Sequence, residues 1–102
     1  MAIADVQLKG SWYSVFDERG KKIKDISLSS AGEYCGHGSD IIVFEKGSWF
    51  GVYDESGRKI KDFSVSTVGS FRAVAGDSII FQKGSYIETY DLRGKKLNSR
   101  HV

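Results

Sequence analysis

The residues whose types and spacing could support chemistry are Glu33, Cys35 and His37, in the segment "EYCGHG". Side chains two residues apart project from the same face of a β-strand, so a strand here would place the cysteine beside the histidine. An imidazole can activate a neighbouring thiol as a nucleophile, and the two groups can also bridge a soft metal ion. Cysteine is also a common small buried residue. We therefore favour a packing role for Cys35, and a rival enzyme hypothesis rests on Cys35 and His37 as a reactive pair.

Enzyme motifs are scarce in the rest of the chain. The sequence contains no phosphate-binding loop, no G-x-S-x-G elbow and no metal-ligand cluster of known spacing. The single cysteine excludes an internal disulfide framework. The net charge of +2 does not indicate any class of binding partner. We predict a protein that is not an enzyme, with no catalytic residue, no metal site and no cofactor.

The strands and turns that would position these residues recur three times in the sequence. Residues 9–45 and 46–82 align without a gap and are identical at 18 of 37 positions, and a third copy runs from Lys83 to Val102. Self-similarity at a fixed period is typical of repeat architectures. The chain is therefore interpreted as a single domain, 1–102, made of three repeats. The repeats are approximately 1–29, 30–66 and 67–102.

Each repeat carries the same turn between two predicted strands. The turns are "DERG" (17–20), "DESG" (54–57) and "DLRG" (91–94). Aspartate at the first position accepts a local backbone hydrogen bond, and glycine at the last takes the left-handed conformation of the bulge that restores strand register. Alternating apolar residues flank the turns, and β-branched runs precede them in "DIIVFE" and "DSIIFQ". We therefore predict meanders, with "EYCGHG" and "SFRAVAG" as short additional strands.

This pattern predicts an all-β fold of three tandem antiparallel meander units, each about 37 residues long. Between Gly10 and Gly94, glycine recurs at intervals of at most 12 residues and leaves no room for a helix of ordinary length, so no significant helix is expected. Three such sheets could be blade-like, as in a propeller, or form a β-prism around a pseudo-threefold axis, or make another sandwich or barrel. We expect near-equivalent sheets that share a common interior.

Three short segments resemble sequences of known repeat proteins. The segments are "FDERGKKI" (16–23), "YDESGRKI" (53–60) and "YDLRGKKL" (90–97). They resemble the YD-type repeats of large bacterial surface and toxin-encapsulating proteins, and they are similar to the outer hairpins of propeller blades. The resemblance implies a bacterial β-hairpin repeat protein and no particular ligand.

Basic residues cluster beside the three Asp-Gly turns. If the units are equivalent, they form three similar positive tips, where an anionic surface, a polysaccharide or a nucleic acid could dock. Interleaved aspartates and glutamates would weaken the potential, so we favour a solvated face. The candidate binding cations are Lys21, Lys22, Arg58, Lys59, Lys95 and Lys96.

An aromatic residue follows a Gly-Ser turn in every repeat, at Trp12, Trp49 and Tyr86. Exposed rings would be sugar-stacking platforms, and three copies of a weak site gain avidity. Buried rings would be packing anchors of the sheets. Because apolar residues flank these strand starts, we expect the three rings to be buried, and we keep them as candidate binding residues.

These observations predict a non-catalytic binding or assembly module, since repetition multiplies a binding surface and adds nothing to a single active site. The expected ligand is a protein or a glycan, with polyanion or nucleic-acid binding as the alternative. Unpaired strand edges in the first and third units could join two chains into a homo-oligomer such as a dimer. With no apolar run long enough to span a membrane and no signal peptide, the expected protein is cytoplasmic, or an exported mature chain lacking its signal peptide.

Overall fold

Three antiparallel β-sheets joined by two single helical turns make up the fold in the computed structural model, which describes residues 2–101. Sheet 1 contains β1 (Ile3–Lys9), β2 (Trp12–Asp17) and β3 (Lys22–Ser27), paired in that order. Sheet 2 contains β4 (Glu33–His37), β5 (Ile41–Lys46), β6 (Trp49–Asp54) and β7 (Lys59–Ser64). Sheet 3 contains β8 (Ser70–Ala75), β9 (Ser78–Lys83), β10 (Tyr86–Tyr90) and β11 (Lys96–His101). The prediction of an all-β fold of antiparallel meanders is confirmed.

The Asp-x-x-Gly turns form through local hydrogen bonds. In sheet 1, one carboxylate oxygen of Asp17 accepts hydrogen bonds from the backbone N–H groups of Arg19 and Lys21, both at 2.9 Å. These bonds, above all the one from Lys21, hold the pKa of Asp17 below its usual value. Gly20 has a φ of 81°, and the strand register shifts just before the turn, as a bulge requires. The same bonds recur in the turns of sheets 2 and 3.

The three sheets stack face to face, with sheet 2 in the middle. One apolar cluster joins sheets 1 and 2, and a second joins sheets 2 and 3. Seven residues of the first cluster have a counterpart 37 positions later that belongs to the second cluster. In the first cluster these residues are Tyr13, Val15, Ile26, Ala31, Ile42, Phe44 and Tyr53. Their counterparts in the second cluster are Phe50, Val52, Phe63, Val68, Ile79, Phe81 and Tyr90. The repeat in the sequence is therefore a repeat of one sheet-to-sheet interface.

Strand β5 shows why the stack has two interiors. Its residues from Ile41 to Phe44 are at most 1% exposed, and they alternate between the two clusters because successive side chains of a strand point to opposite faces. The expectation that all three sheets share a common interior is wrong, because the stack has two separate interiors. The resulting molecule is elongated, with extents of 39 × 26 × 21 Å.

The two outer faces of the stack are more polar than the faces inside it. On sheet 1, Asp5 and Gln7 stand where sheet 2 buries two apolar residues, and the Gln7 amide donates a 2.9 Å hydrogen bond to the Asp5 carboxylate. On sheet 3, exposed Arg100 stands at the position of buried Phe63 in sheet 2. Polar outer faces are typical of the terminal units of repeat proteins.

Single helical turns lead the chain from one sheet to the next. The turn α1 (Leu28–Ala31) follows sheet 1, and α2 (Val65–Val68) follows sheet 2. Lys46 Nζ donates to a carbonyl of α1 at 2.6 Å, and Lys83 Nζ donates to a carbonyl of α2 at 3.2 Å. These lysines satisfy carbonyls that a helix end leaves without partners. Within residues 2–101, no helix has the length and apolar character needed to cross a membrane.

Candidate binding site

The repeated aromatic side chains lie at the surface. Trp12, Trp49 and Tyr86 are 52%, 53% and 49% exposed, so the prediction that they are buried is wrong. Each ring belongs to the first residue of its strand, and in sheets 1 and 2 the next residue, Tyr13 or Phe50, fills the core instead. Since neighbouring residues of a strand point to opposite faces, the first ring is left at the margin of its sheet.

A lysine–carboxylate ion pair lies on the same face of the sheet as each aromatic ring. Counting only residues on this face, the strand register places the carboxylate one position away from the ring and the lysine two positions away. The pairs are Lys22–Asp25 at 3.3 Å, Lys59–Asp62 at 3.2 Å and Lys96–Glu88 at 2.9 Å. Each sheet therefore presents one aromatic ring beside one ion pair, and we call this surface its aromatic face.

The ion pairs divide the six candidate cations into two groups. The cations that lie within the aromatic faces, with their charges paired, are Lys22, Lys59 and Lys96. Those that lie at the turns, where their backbone N–H groups bind the turn aspartates and their side chains are exposed, are Lys21, Arg58 and Lys95. The structure thus brings half of the candidate cations to the aromatic rings and leaves the other half at the turns.

The aromatic face of sheet 2 carries a cavity of about 220 Å³ where α1 lies beside β6 and β7. Trp49 and Tyr53 supply aromatic walls, and Gly51 between them supplies a floor without a side chain. Lys59 and Asp62 complete the polar side of the cavity. The remaining lining residues are Ser30, Ala31 and Lys46.

Sequence reasoning identified Trp49 and Lys59 as candidates but missed Gly51. The signal lay in the gap-free alignment of the repeats, because the position of Gly51 carries Ser14 in sheet 1 and Glu88 in sheet 3. Loss of the side chain at Gly51 opens space beside the aromatic ring of Trp49.

The structure separates Cys35 from His37. The register of β4 shifts between Tyr34 and Gly36, so the two side chains do not share a face. Cys35 packs against the cluster between sheets 2 and 3, whereas the His37 ring lies 6.5 Å from Tyr34, whose ring is 6.2 Å from Phe44 of the other cluster. Burial, with smaller effects from two nearby glutamates, raises the pKa of the Cys35 thiol to about 11. This arrangement favours a packed thiol.

The Cys35 thiol is expected to react slowly with iodoacetamide in the folded protein. A pKa of about 11 instead of 9.0 lowers the thiolate fraction at pH 8 about 100-fold. The alkylation rate, followed by mass spectrometry, should therefore keep rising from pH 8 to about pH 10. The chain unfolded in urea is the control, and its rate should be half-maximal near pH 9 and level off near pH 10, where the native rate is still rising. A native rate that levels off below about pH 8 would support the enzyme hypothesis instead.

Within residues 2–101, no three His, Cys, Asp or Glu side chains gather in a group that could hold a metal ion. No protein-family model, no curated protein and no solved structure matches the chain. A relationship to YD-type repeat proteins or to propeller blades therefore stays a prediction.

Proposed function

We propose that the chain is a non-catalytic carbohydrate-binding module that contacts a glycan through Trp12, Trp49 and Tyr86. The observation that carries the proposal is the half-exposure of an aromatic ring at the same position of all three sheets. Large aromatic side chains gain free energy when they leave water. Three rings held half in water at equivalent places therefore offer a repeated contact surface for a ligand.

The groups around each ring suit a sugar. The C–H face of a sugar ring packs on an aromatic face, while its hydroxyl groups need hydrogen-bond donors and acceptors around that contact. The lysine–carboxylate pairs of the aromatic faces offer both. Because stacked sheets lie about 10 Å apart, equivalent rings could contact successive parts of one glycan chain, and linked weak contacts gain avidity.

The alternatives of polyanion binding and assembly have less support. Polyanion binding needs cations without partners, and half of the six candidate cations lie in ion pairs. Stacking of two chains through their outer faces would bury polar side chains such as Asp5 and Arg100, which costs free energy unless each finds a new partner. A homo-oligomer would instead pair exposed strand edges, and sedimentation velocity tests for it.

Glycan binding is expected to retard the protein in native gels that contain a soluble polysaccharide. The panel consists of neutral polymers of glucose, xylose, mannose and galactose, with heparin as the polyanion. Retardation by at least one neutral polymer is expected, and it should persist at high salt because stacking contacts are not screened. Retardation by heparin alone, weakening steeply with salt, would support the polyanion alternative. No retardation by a neutral polymer would overturn the proposal.

A triple variant tests which side chains carry the binding. Replacing Trp12, Trp49 and Tyr86 together by alanine should abolish retardation. Leu8→Ala is the matched control, because Leu8 is equally exposed, at 55%, and pairs with Tyr13, on the opposite face of sheet 1. Its retardation should equal that of the wild type, and thermal unfolding should show that both variants remain folded.

A further inference from the structure

We infer that the cavity beside Trp49 is the subsite that takes one sugar ring of the glycan, and that a hydroxyl group of this ring donates a hydrogen bond to Asp62. The inference rests on the proposed function, and it names both the place and the chemistry of the principal contact. It follows from comparing the same strand pair in the three sheets.

Sheets 1 and 3 show which group is missing from sheet 2. In sheet 1, the Ser14 hydroxyl donates to the carboxylate of Asp25, the residue opposite it, at 3.0 Å. In sheet 3 the two strands exchange these roles, and the Ser99 hydroxyl donates to Glu88 at 3.4 Å. Both sheets therefore join one carboxylate to one hydroxyl at the same cross-strand position.

Sheet 2 keeps the carboxylate and lacks the hydroxyl. Gly51 lies opposite Asp62, and among residues 2–101 no hydroxyl group donates to this carboxylate. A Cβ atom placed on Gly51 would lie 3.7 Å from Asp62 Oδ1, and Ser14 demonstrates that an oxygen one bond further on reaches hydrogen-bond distance. The cavity of about 220 Å³ above Gly51 has room for a sugar ring that brings such an oxygen.

The polar groups of the cavity favour a hydroxyl-bearing ligand. Lys59 and Asp62 pair with each other at 3.2 Å, and Lys46 is engaged with the carbonyls of α1. A carboxylate or phosphate has no hydrogen to donate to Asp62 and would have to compete with it for Lys59, and an ammonium group would meet the repulsion of Lys46 and Lys59. A hydroxyl group can donate to Asp62 and accept from Lys59 at the same time, while the ring packs against Trp49.

The equivalent space in sheet 3 is taken by the protein itself. Glu88 is only 8% exposed, and Lys96 holds its carboxylate at 2.9 Å. The hydrogen bond and charge of Lys96 keep the pKa of Glu88 below its usual value, so the side chain stays charged and in place. Tyr86 therefore offers a flat contact to a glycan, and the ring-receiving cavity belongs to sheet 2.

Gly51→Ser tests the inference by installing the hydroxyl group that sheet 1 already has. The backbone of Gly51 is not in the left-handed region, and the nearest atom to an added Cβ is the Tyr53 ring at 3.1 Å, so serine fits after a small shift of that ring.

Titrations use hexasaccharides of glucose, xylose, mannose and galactose and are followed by tryptophan fluorescence. For the hexasaccharide that the wild type binds, Gly51→Ser should raise the Kd at least tenfold. In the wild type, the backbone amide signals of residues 49–53 and 59–62 should shift on binding.

Ala75→Ser, which adds a hydroxyl group to an exposed residue of β8 on the face of sheet 3 opposite Tyr86, is the control and should leave the Kd within about twofold. If Gly51→Ser binds like the wild type while the triple aromatic variant does not bind, the inference is overturned and the proposed function stands. Equal weakening by Gly51→Ser and Ala75→Ser would also place the subsite elsewhere. A wild type that binds none of the four hexasaccharides would overturn the proposed function and the inference with it.

Discussion

Replacing Phe81 with alanine is expected to lower the free energy of unfolding by about 3 to 5 kcal/mol. The side chain is fully buried in the cluster between sheets 2 and 3. The aromatic rings whose centroids lie within 6.4 Å of it are Phe50, Phe63, Phe71 and Tyr90. Truncation leaves a cavity that these rings cannot close without giving up contacts with one another. Urea denaturation of the variant and the wild type measures the loss.

Two other phenylalanines provide the comparison. Phe44 is the counterpart of Phe81 in the first interface and is also fully buried, so Phe44→Ala should lower stability by a similar amount. Phe16 lies half-buried on the outer face of sheet 1, with Lys9 Nζ 5.8 Å from its ring centroid, and Phe16→Ala should cost only about 1 kcal/mol. Unequal losses at Phe44 and Phe81 would contradict the description of two equivalent interiors, and a loss at Phe16 as large as that at Phe81 would contradict its place on the outer face.

The two interfaces also predict where each variant loosens. Each outer sheet depends on the one sheet that covers it, as in a linear array of repeats. Amide hydrogen exchange should therefore increase mainly in sheet 3 for Phe81→Ala and mainly in sheet 1 for Phe44→Ala. Exchange that increases uniformly over all three sheets in both variants would mean that the stack unfolds as a single unit.

The turns and strands were predictable from the sequence because they depend on local chemistry. An aspartate three residues before a glycine satisfies the backbone of its own turn, whatever lies beyond it. The stacking order of the sheets was not predictable in the same way. The alternation of Ile41–Phe44 between two apolar faces suits a strand covered on both sides, but it does not say which sheets cover it.

The candidate site was predictable only in part, since it depends on what lies next to each strand. Alternation places Trp49 on one face of β6 but does not indicate that its ring stands at the margin of the sheet. The cavity forms because α1 lies beside that ring. This contact is part of the tertiary structure, and the local sequence pattern does not predict it. For Cys35 and His37, a single register shift in β4 was enough to separate two side chains that simple alternation puts together.

Replacing Gly69 with alanine is expected to lower the free energy of unfolding by about 3 to 4 kcal/mol. Gly69 ends α2 with φ of 88° and ψ of −138°, a conformation that residues other than glycine almost never adopt. An added Cβ would also overlap the Gln82 carbonyl and lie 2.9 Å from Lys83 Cα. These are backbone atoms of β9, so they cannot move aside without shifting the strand. The substitution therefore pushes α2 away from sheet 3 and opens the second interface.

The matched control is Gly84→Ala, in the turn between β9 and β10. Gly84 also has a positive φ, of 60°, but nothing lies within 4 Å of an added Cβ, so only the backbone conformation costs free energy, about 1 kcal/mol. The difference between the two variants in urea denaturation then isolates the close approach of the connecting turn to the next sheet. Gly32→Ala, at the end of α1, should behave like Gly69→Ala, because its Cβ would meet the Glu45 carbonyl in the same way. If Gly69→Ala proves no less stable than Gly84→Ala, the connecting turns yield freely, and stacking of the sheets does not depend on their close approach.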